Sequence, residues 1–70
     1  MKDWAYEIIE EFFEMRRYRG WTIRYAARLI GVSFSYLAAV ENKDKVPSKN
    51  LLQRMVVFLI NDQLENKKHT

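Results

Sequence analysis

The polar and hydrophobic positions of the first third of the chain repeat with a helical period. Four acidic residues recur at i, i+3, i+4 and i+7, so they share one face of a helix. These are Glu7, Glu10, Glu11 and Glu14, and the apolar residues broadly opposite them are Ala5, Ile8, Ile9, Phe12 and Met15. Asp3 can cap this helix, which we expect to run to about Arg19 with its apolar face towards a core.

Residues 22–42 are predicted to form two short amphipathic helices joined at Gly31-Val32-Ser33. Thr22 and Ser33 are each well placed to cap a helix start, because a hydroxyl can accept from amides that the helix leaves unpaired. Gly31 stands where the first helix must stop and the chain must turn, a position that favours positive φ.

The inward faces of these two helices fit a close crossing. Ala26, Ala27 and Ile30 share one face of the first helix, and Leu37 and Val40 share one face of the second. The small side chain of Ala27 lets the second helix approach closely. This is the layout of a helix-turn-helix, whose second helix can lie in the major groove of DNA.

A fourth helix is predicted after the loop that follows Asn42. Pro47 restricts the chain before Ser48, which is a third plausible N-cap. The helix should start at about Lys49 and end at Ile60 or at Leu64. Its core face is Leu52, Met55, Val56 and Leu59.

Residues 55–60 are six apolar residues in a row, more than one helix face requires. Periodicity alone also fits a short strand here, although Leu51 and Leu52 at helical spacing favour a helix. The surplus side chains either lie under the first helix, where Trp4 and Phe13 are also surplus, or form an exposed interface. The residues through which we expect self-association are Val57, Phe58, Ile60 and Leu64.

Charge is distributed unevenly along the chain, whose net charge is +3. Residues 1–15 carry one Lys against five acids, residues 16–54 carry nine basic residues against two acids, and residues 55–70 balance. A basic middle that coincides with a helix-turn-helix is typical of nucleic-acid binders. The acidic stripe of the first helix should therefore point away from DNA, as a solubilising face or as a docking surface for a protein.

Length and composition argue against several classes of protein. Seventy residues make one small domain, 1–70, ending in a polar tail at 66–70. The chain has no cysteine, no pair of histidines, no glycine-rich phosphate loop and no recognisable set of catalytic residues. We therefore predict that the protein is not an enzyme and binds no metal or cofactor. We assign no role to His69. No apolar run reaches membrane-spanning length and no signal peptide is visible, so we expect a cytoplasmic protein without membrane or small-molecule partners.

The two short helices and their flanks resemble the Cro/CI-type (XRE) helix-turn-helix domains of bacterial and phage repressors. Ala27 matches the family's small residue, Gly31 its turn glycine, and Leu37 and Val40 its two core positions. Flanking matches over about residues 12–59 are Met15-Arg16, Gly20-Trp21-Thr22, Glu41-Asn42 and Val46-Pro47-Ser48. The resemblance implies an all-α, lambda-repressor-like fold of four or five short helices.

The resemblance also implies a structural role for Arg16 and Glu41. In the family the matching residues pair across the core, and two partly buried charges are costly unless paired. A phosphate contact is the alternative for Arg16. Lys43 stands where the family usually has glycine, so Asn42 or Lys43 must adopt a left-handed turn, which Asn tolerates better than most residues.

Residues 33–42 are the predicted reading helix, with Leu37, Val40 and Glu41 facing inward. The outward residues are Phe34, Ser35, Ala38, Ala39 and Asn42. Family members often carry Gln, Arg or Asn at the positions of Phe34, Ser35 and Ala39, and a phosphate-binding Gln at Ile23, but here only Ser35 is polar. Ser35 can bond a base or a phosphate, and Phe34 and Ala39 can touch thymine methyl groups. The other predicted DNA contacts, mainly to phosphates, are Arg24, Ser33, Tyr36, Lys43, Lys45 and Lys49.

The sequence therefore predicts a sequence-specific DNA-binding transcriptional regulator, a repressor of phage or mobile-element type. It should act as a homodimer on a two-fold operator, because one short helix offers too few base contacts for useful specificity. The alternative is a protein-binding module on the same fold, antirepressor-like or antitoxin-like, with weak or no DNA binding. In that case the outward apolar tip of the reading helix would bind a protein partner.

Overall fold

The computed structural model describes the backbone of residues 3–68 and the side chains of residues 3–65. Over that range the chain is all-α and contains no strand. The helices are α1 (Asp3–Tyr18), α2 (Ile23–Ile30), α3 (Phe34–Glu41) and α4 (Lys49–Lys68). The all-α prediction is confirmed, and the strand alternative at residues 55–60 is wrong because α4 continues through them. His69 lies outside the described residues.

Local capping sets three of the helix starts, as predicted. The Thr22 Oγ1 accepts from the backbone N–H of Tyr25 at 3.0 Å, and Ser48 Oγ accepts from Leu51 at 3.1 Å. Ser33 does the same for α3 through the N–H of Tyr36. Each hydroxyl satisfies a donor that the first helical turn leaves without a backbone partner.

Three residues in the left-handed region end α1, α2 and α3. These are Gly20 at φ 72°, Gly31 at φ 83° and Lys43 at φ 66°. After α3, the N–H of Asp44 donates to Ala39 O and that of Lys43 to Val40 O, which is the Schellman pattern. That pattern places the positive φ two residues beyond the last helical residue. It therefore falls on Lys43, and Asn42 has an ordinary φ of −81°. The expectation that Asn42 was the better candidate is wrong.

The core lies where α1 and α4 enclose the inner faces of α2 and α3. Its buried side chains are Ala5, Ile9, Phe12, Phe13, Met15, Ala26, Ala27, Ile30, Leu37, Val40, Leu51, Leu52 and Met55. Phe13 was expected to be surplus, but it is only 3% exposed. It lines a groove with Val46 and Pro47, so the α3–α4 connection covers a second side of α1.

Helix α4 begins at Lys49, as predicted, but it continues past both predicted C-terminal ends, Ile60 and Leu64, into the polar tail. Its later residues include no Gly or Pro that would stop it. Arg19 also ties α1 to this extension, through Asp62 Oδ1 at 2.7 Å from its Nε and Glu65 Oε2 at 3.0 Å from its Nη2. Hydrogen bonds to Asp62 and then Glu65 raise the pKa of Arg19 above its ordinary value.

Candidate nucleic-acid interface

The orientation of α3 follows from its cap and its buried face. Leu37 and Val40 are buried against the core. The Oγ of Ser33 accepts from the N–H of Tyr36 at 3.1 Å, so this predicted DNA contact also holds the helix start. A hydroxyl that accepts in this way keeps its proton, and Ser33 can still donate to a phosphate.

The outward face of α3 is exposed mainly at its first turn. Phe34 is 42% exposed, and Ser35 and Asn42 are also exposed. Ala38 and Ala39 are half-buried, so their methyl groups are only partly accessible. The start of α3 therefore presents an aromatic ring and a hydroxyl side by side. The two alanines further along the predicted reading surface are only partly accessible.

Arg24 at the start of α2 lies over the ring of Phe34 at the start of α3. The guanidinium carbon is 4.5 Å from the ring centroid, within the range of a cation–π contact. Sequence reasoning placed Arg24 among the phosphate contacts and missed this stack. The available signal was the helix-turn-helix itself, which brings the first turns of its two helices close together.

Tyr36 connects α3 to the start of α4. Its Oη accepts from the backbone N–H of Ser48 at 2.8 Å, and its side chain is half-buried. The hydroxyl proton remains available to a phosphate. A structural role thus accompanies the predicted DNA contact, and the sequence held no sign of it.

The three predicted phosphate-binding lysines are all exposed. Lys43 and Lys45 lie in the α3–α4 connection, and Lys49 begins α4. Lys43 and Lys45 line the same groove as Glu10 and Glu14 of α1. Part of the acidic stripe therefore borders two lysines expected to hold phosphate, and does not lie wholly on the far side of the molecule.

Arg16 and Glu41 form the predicted ion pair, with 3.4 Å between Nη2 and Oε2. Arg16 also donates to the carbonyl oxygen of Trp21 at 2.7 Å, and its side chain is 16% exposed. The more exposed Arg17 reaches Glu41 at 3.6 Å. Because the guanidinium of Arg16 is largely enclosed and already bonded, the geometry favours a structural role over a phosphate contact.

Arg54 is a basic residue whose role sequence reasoning missed. Its Nη1 donates to Ile30 O at 2.9 Å and to Gly31 O at 3.2 Å. It thus satisfies carbonyls at the end of α2 that have no helical partner, as basic side chains near helix ends often do. No local signal marks this contact, since more than twenty residues separate the partners.

The predicted dimerisation residues divide into two groups. The ring of Phe58 is half-buried and meets that of Phe12 edge-on, with centroids 6.5 Å apart. Val57, Ile60 and Leu64 are 55%, 51% and 52% exposed. They follow one another at i, i+3 and i+7, and so form an apolar stripe on the outer face of α4. Phe58 therefore belongs to the core of its own chain and not to this stripe.

The described residues, 3–68, contain neither a candidate metal-binding cluster nor a candidate membrane-spanning helix. No group of three or more His, Cys, Asp or Glu side chains is arranged to hold a metal ion there. No helix in this part of the chain combines the length and apolar character needed to cross a membrane.

Comparison with known proteins adds one finding. A family model described as helix-turn-helix matches residues 13–59, which include α2, α3 and the joint between them. Comparison with curated proteins gave no significant match, and neither did comparison with solved structures. The match covers 47 of the 70 residues and agrees with the caps, the turn glycine and the buried face of the two helices. The chain belongs to the Cro/CI-type (XRE) helix-turn-helix family of DNA-binding regulators.

Proposed function

We propose that this protein is a sequence-specific transcriptional repressor that inserts α3 into the major groove of its operator. The observation that carries the proposal is the exposed first turn of α3, where Phe34 and Ser35 reach solvent together. In helix-turn-helix proteins the N-terminal residues of the second helix contact base edges. Phe34 supplies an apolar contact for a thymine methyl group and Ser35 a hydroxyl for a base or phosphate.

Exposed cations on the neighbouring elements support phosphate binding around this turn. Lys43 and Lys45 are in the α3–α4 connection, and Lys49 begins α4. Contacts of this kind position a protein on the duplex and contribute affinity for any sequence. Specificity then depends on the few side chains of α3 that reach the groove floor.

We expect a homodimer on a two-fold operator, because only a few side chains of α3 can reach the base edges. One turn of α3 can read only a short half-site, and two copies double the number of base contacts. The exposed stripe of Val57, Ile60 and Leu64 offers an apolar surface for the second copy. A phage or mobile-element origin rests on the resemblance to Cro/CI repressors alone.

A protein-binding module on the same fold is the second candidate. The observation that favours it is the apolar character of the exposed recognition surface, since Phe34 stands where a polar base reader is common in the family. Trp4 and Val57 add exposed apolar surface elsewhere. An antirepressor-like or antitoxin-like protein would use such surfaces to bind another protein.

Selection of bound sites from random duplexes, followed by binding at several salt concentrations, tests the proposal. We expect a two-fold symmetric motif and a steep fall of affinity with salt. Replacing Lys45 or Lys49 with Ala should weaken binding to all sequences alike and reduce the salt slope by about one. No enrichment of any sequence, together with a flat salt dependence, would contradict the proposal.

A second set of variants tests the base contacts. Phe34→Ala should relax the preference at one base pair by roughly 1 kcal/mol or more, and Ser35→Glu should damage specific binding severely. Glu7→Ala is the control, because Glu7 is exposed on α1, whereas Glu10 shares a groove with Lys43 and Lys45. If Phe34→Ala leaves DNA binding intact and abolishes a protein complex, the protein-binding candidate replaces the repressor.

A further inference from the structure

Arg24 is placed where it can read a base instead of holding a phosphate. We propose that Arg24 and Phe34 form one composite reader of a thymine beside a guanine. Phe34 contacts the thymine methyl group and Arg24 donates to the guanine. The inference rests on the proposed function, because it requires α3 to lie in the major groove.

The guanidinium of Arg24 is held beside the start of α3, and no described residue uses its hydrogen-bond donors. It lies 4.5 Å from the centre of the Phe34 ring. Within the part of the chain whose side chains are described, Arg24 has no hydrogen bond and no ion pair. By contrast, Arg16, Arg19 and Arg54 all bond to other residues of the protein. The donors of Arg24 are therefore free for an external acceptor.

The stack on Phe34 also sets the direction in which the guanidinium of Arg24 points. Phosphates border the groove, and base edges form its floor. A guanidinium that lies against the first residue of α3 is turned towards the recognition helix, so it enters the groove with Phe34. The distance from the guanidinium carbon to the ring centroid is 4.5 Å, about one ångström more than the spacing of successive base pairs, about 3.4 Å. The ring of Phe34 and the guanidinium of Arg24 can thus contact neighbouring base pairs.

The chemistry of the two side chains matches a thymine and a guanine. The thymine methyl is the apolar group that a base pair presents in the major groove, so it is the natural partner of the Phe34 ring. Arginine bonds guanine O6 and N7 through two N–H donors, which is the commonest specific protein–DNA contact. Holding the guanidinium over the ring beforehand reduces the conformational entropy that it loses on binding. Lysine has the same charge but lacks the planar fork.

Two variants and two modified bases test the inference on the operator obtained by selection. Arg24→Lys should lower affinity for that site on the order of tenfold while leaving the salt slope unchanged. Replacing the guanine with 7-deazaguanine, which removes N7, should weaken the parent more than Arg24→Lys, because a lysine cannot form the two-donor fork on O6 and N7. Replacing the thymine with uracil, which removes only the methyl group, should weaken the parent and leave Phe34→Ala unaffected.

Arg28→Lys is the matched control, because Arg28 is exposed one turn further along α2. It should bind like the parent, and melting curves should show that both lysine variants are as stable as the parent. If Arg24→Lys binds the operator like the parent and 7-deazaguanine has no effect, Arg24 is a phosphate contact. The composite reader is then overturned while the proposed function stands. A parent that selects no site at all overturns both.

Discussion

Single residues with positive φ decide where the helices of this protein end. Gly20 and Gly31 carry this conformation without a steric cost, because they have no Cβ. Lys43 carries it at φ 66° with a full side chain, at the position where the family usually has glycine. The left-handed region is less favourable by on the order of 1–2 kcal/mol for a residue with a Cβ. Lys43 is therefore a strained and exposed position.

Lys43→Gly should raise the free energy of unfolding by about 0.5–1 kcal/mol, because relief of strain exceeds the extra entropy that glycine loses. Urea titration measures the change. Asn42→Gly is the control and should be destabilising, since the φ of Asn42 is already −81°. If Asn42→Gly stabilises and Lys43→Gly does not, the left-handed residue has been wrongly placed.

Gly31→Val should lower the free energy of unfolding by roughly 2 kcal/mol, because a β-branched residue is poorly tolerated at positive φ. A Cβ at this position would also lie 2.6 Å from Nη1 of Arg54, the atom that caps α2. Gly20→Val has a similar φ but nothing within 4 Å of its Cβ, so it should cost less. Equal thermal stability of Gly31→Val and the parent would contradict the turn assignment.

Arg16→Met and Glu41→Leu should show coupling of about 1 kcal/mol in a double-mutant cycle, because each single change leaves a partly buried charge without its partner. Chemical denaturation of the four proteins gives this value. Arg17→Met combined with Glu41→Leu should show weaker coupling, since Arg17 is 58% exposed. Strictly additive losses for Arg16 and Glu41 would mean that the pair contributes nothing.

At the scale of elements, α3 is held in place by its neighbours more than by its own eight residues. An isolated helix of this length is marginal in water, so its position depends on tertiary contacts. Leu37 and Val40 are buried beneath it. The Tyr36–Ser48 hydrogen bond joins it to α4, and the Schellman turn at Lys43 directs the chain that follows it. The recognition surface is thus presented by a helix with fixed ends.

Tyr36→Phe should lower the free energy of unfolding by about 0.5 kcal/mol, the low end for a hydrogen bond, because water can reach the exposed Ser48 amide. Hydrogen exchange at the Ser48 amide should become faster. Tyr25→Phe is the matched control: Tyr25 is 47% exposed and should be neutral. If Tyr36→Phe is as stable as the parent but binds DNA more weakly, its hydroxyl acts on phosphate alone.

At the scale of the whole molecule, six of the ten exposed large apolar side chains among the described residues lie on α1 and α4. Trp4 and Val57 line a groove whose other residues are mostly apolar. Val57 also begins the stripe that continues to Ile60 and Leu64. Nearly continuous apolar surface of this kind commonly marks an interface.

Ile60→Lys should give a folded monomer that binds its operator weakly, because a lysine on the α4 stripe opposes burial of that face. Sedimentation equilibrium at high concentration and circular dichroism measure the two properties. Tyr18→Lys is the control, since Tyr18 is 84% exposed at the end of α1. Phe58→Lys should damage the fold itself, because its ring meets Phe12. A parent that is monomeric both alone and on DNA would contradict self-association.

Local signals in the sequence were enough to predict the four helices and most of the core. A hydroxyl before a helix, a glycine after one and apolar residues at helical spacing act over a few residues, so Thr22, Ser33 and Gly31 could be assigned directly. The same signals identified Phe34 and Ser35 as outward residues. They could not predict burial of Phe13, which depends on coverage by the distant Pro47.

The sequence by itself determined the helix-turn-helix, its family and the outward face of α3, because these follow from short-range periodicity, capping and motif spacing. Only the tertiary structure decided how distant residues meet. It placed Arg24 over Phe34, Arg54 on the end of α2 and Tyr36 on the start of α4. Such contacts depend on crossing angles and on the lengths of neighbouring helices. No local pattern in the chain encodes them for Arg54 or Tyr36, and the helix-turn-helix motif brings Arg24 near Phe34 without fixing the distance between them.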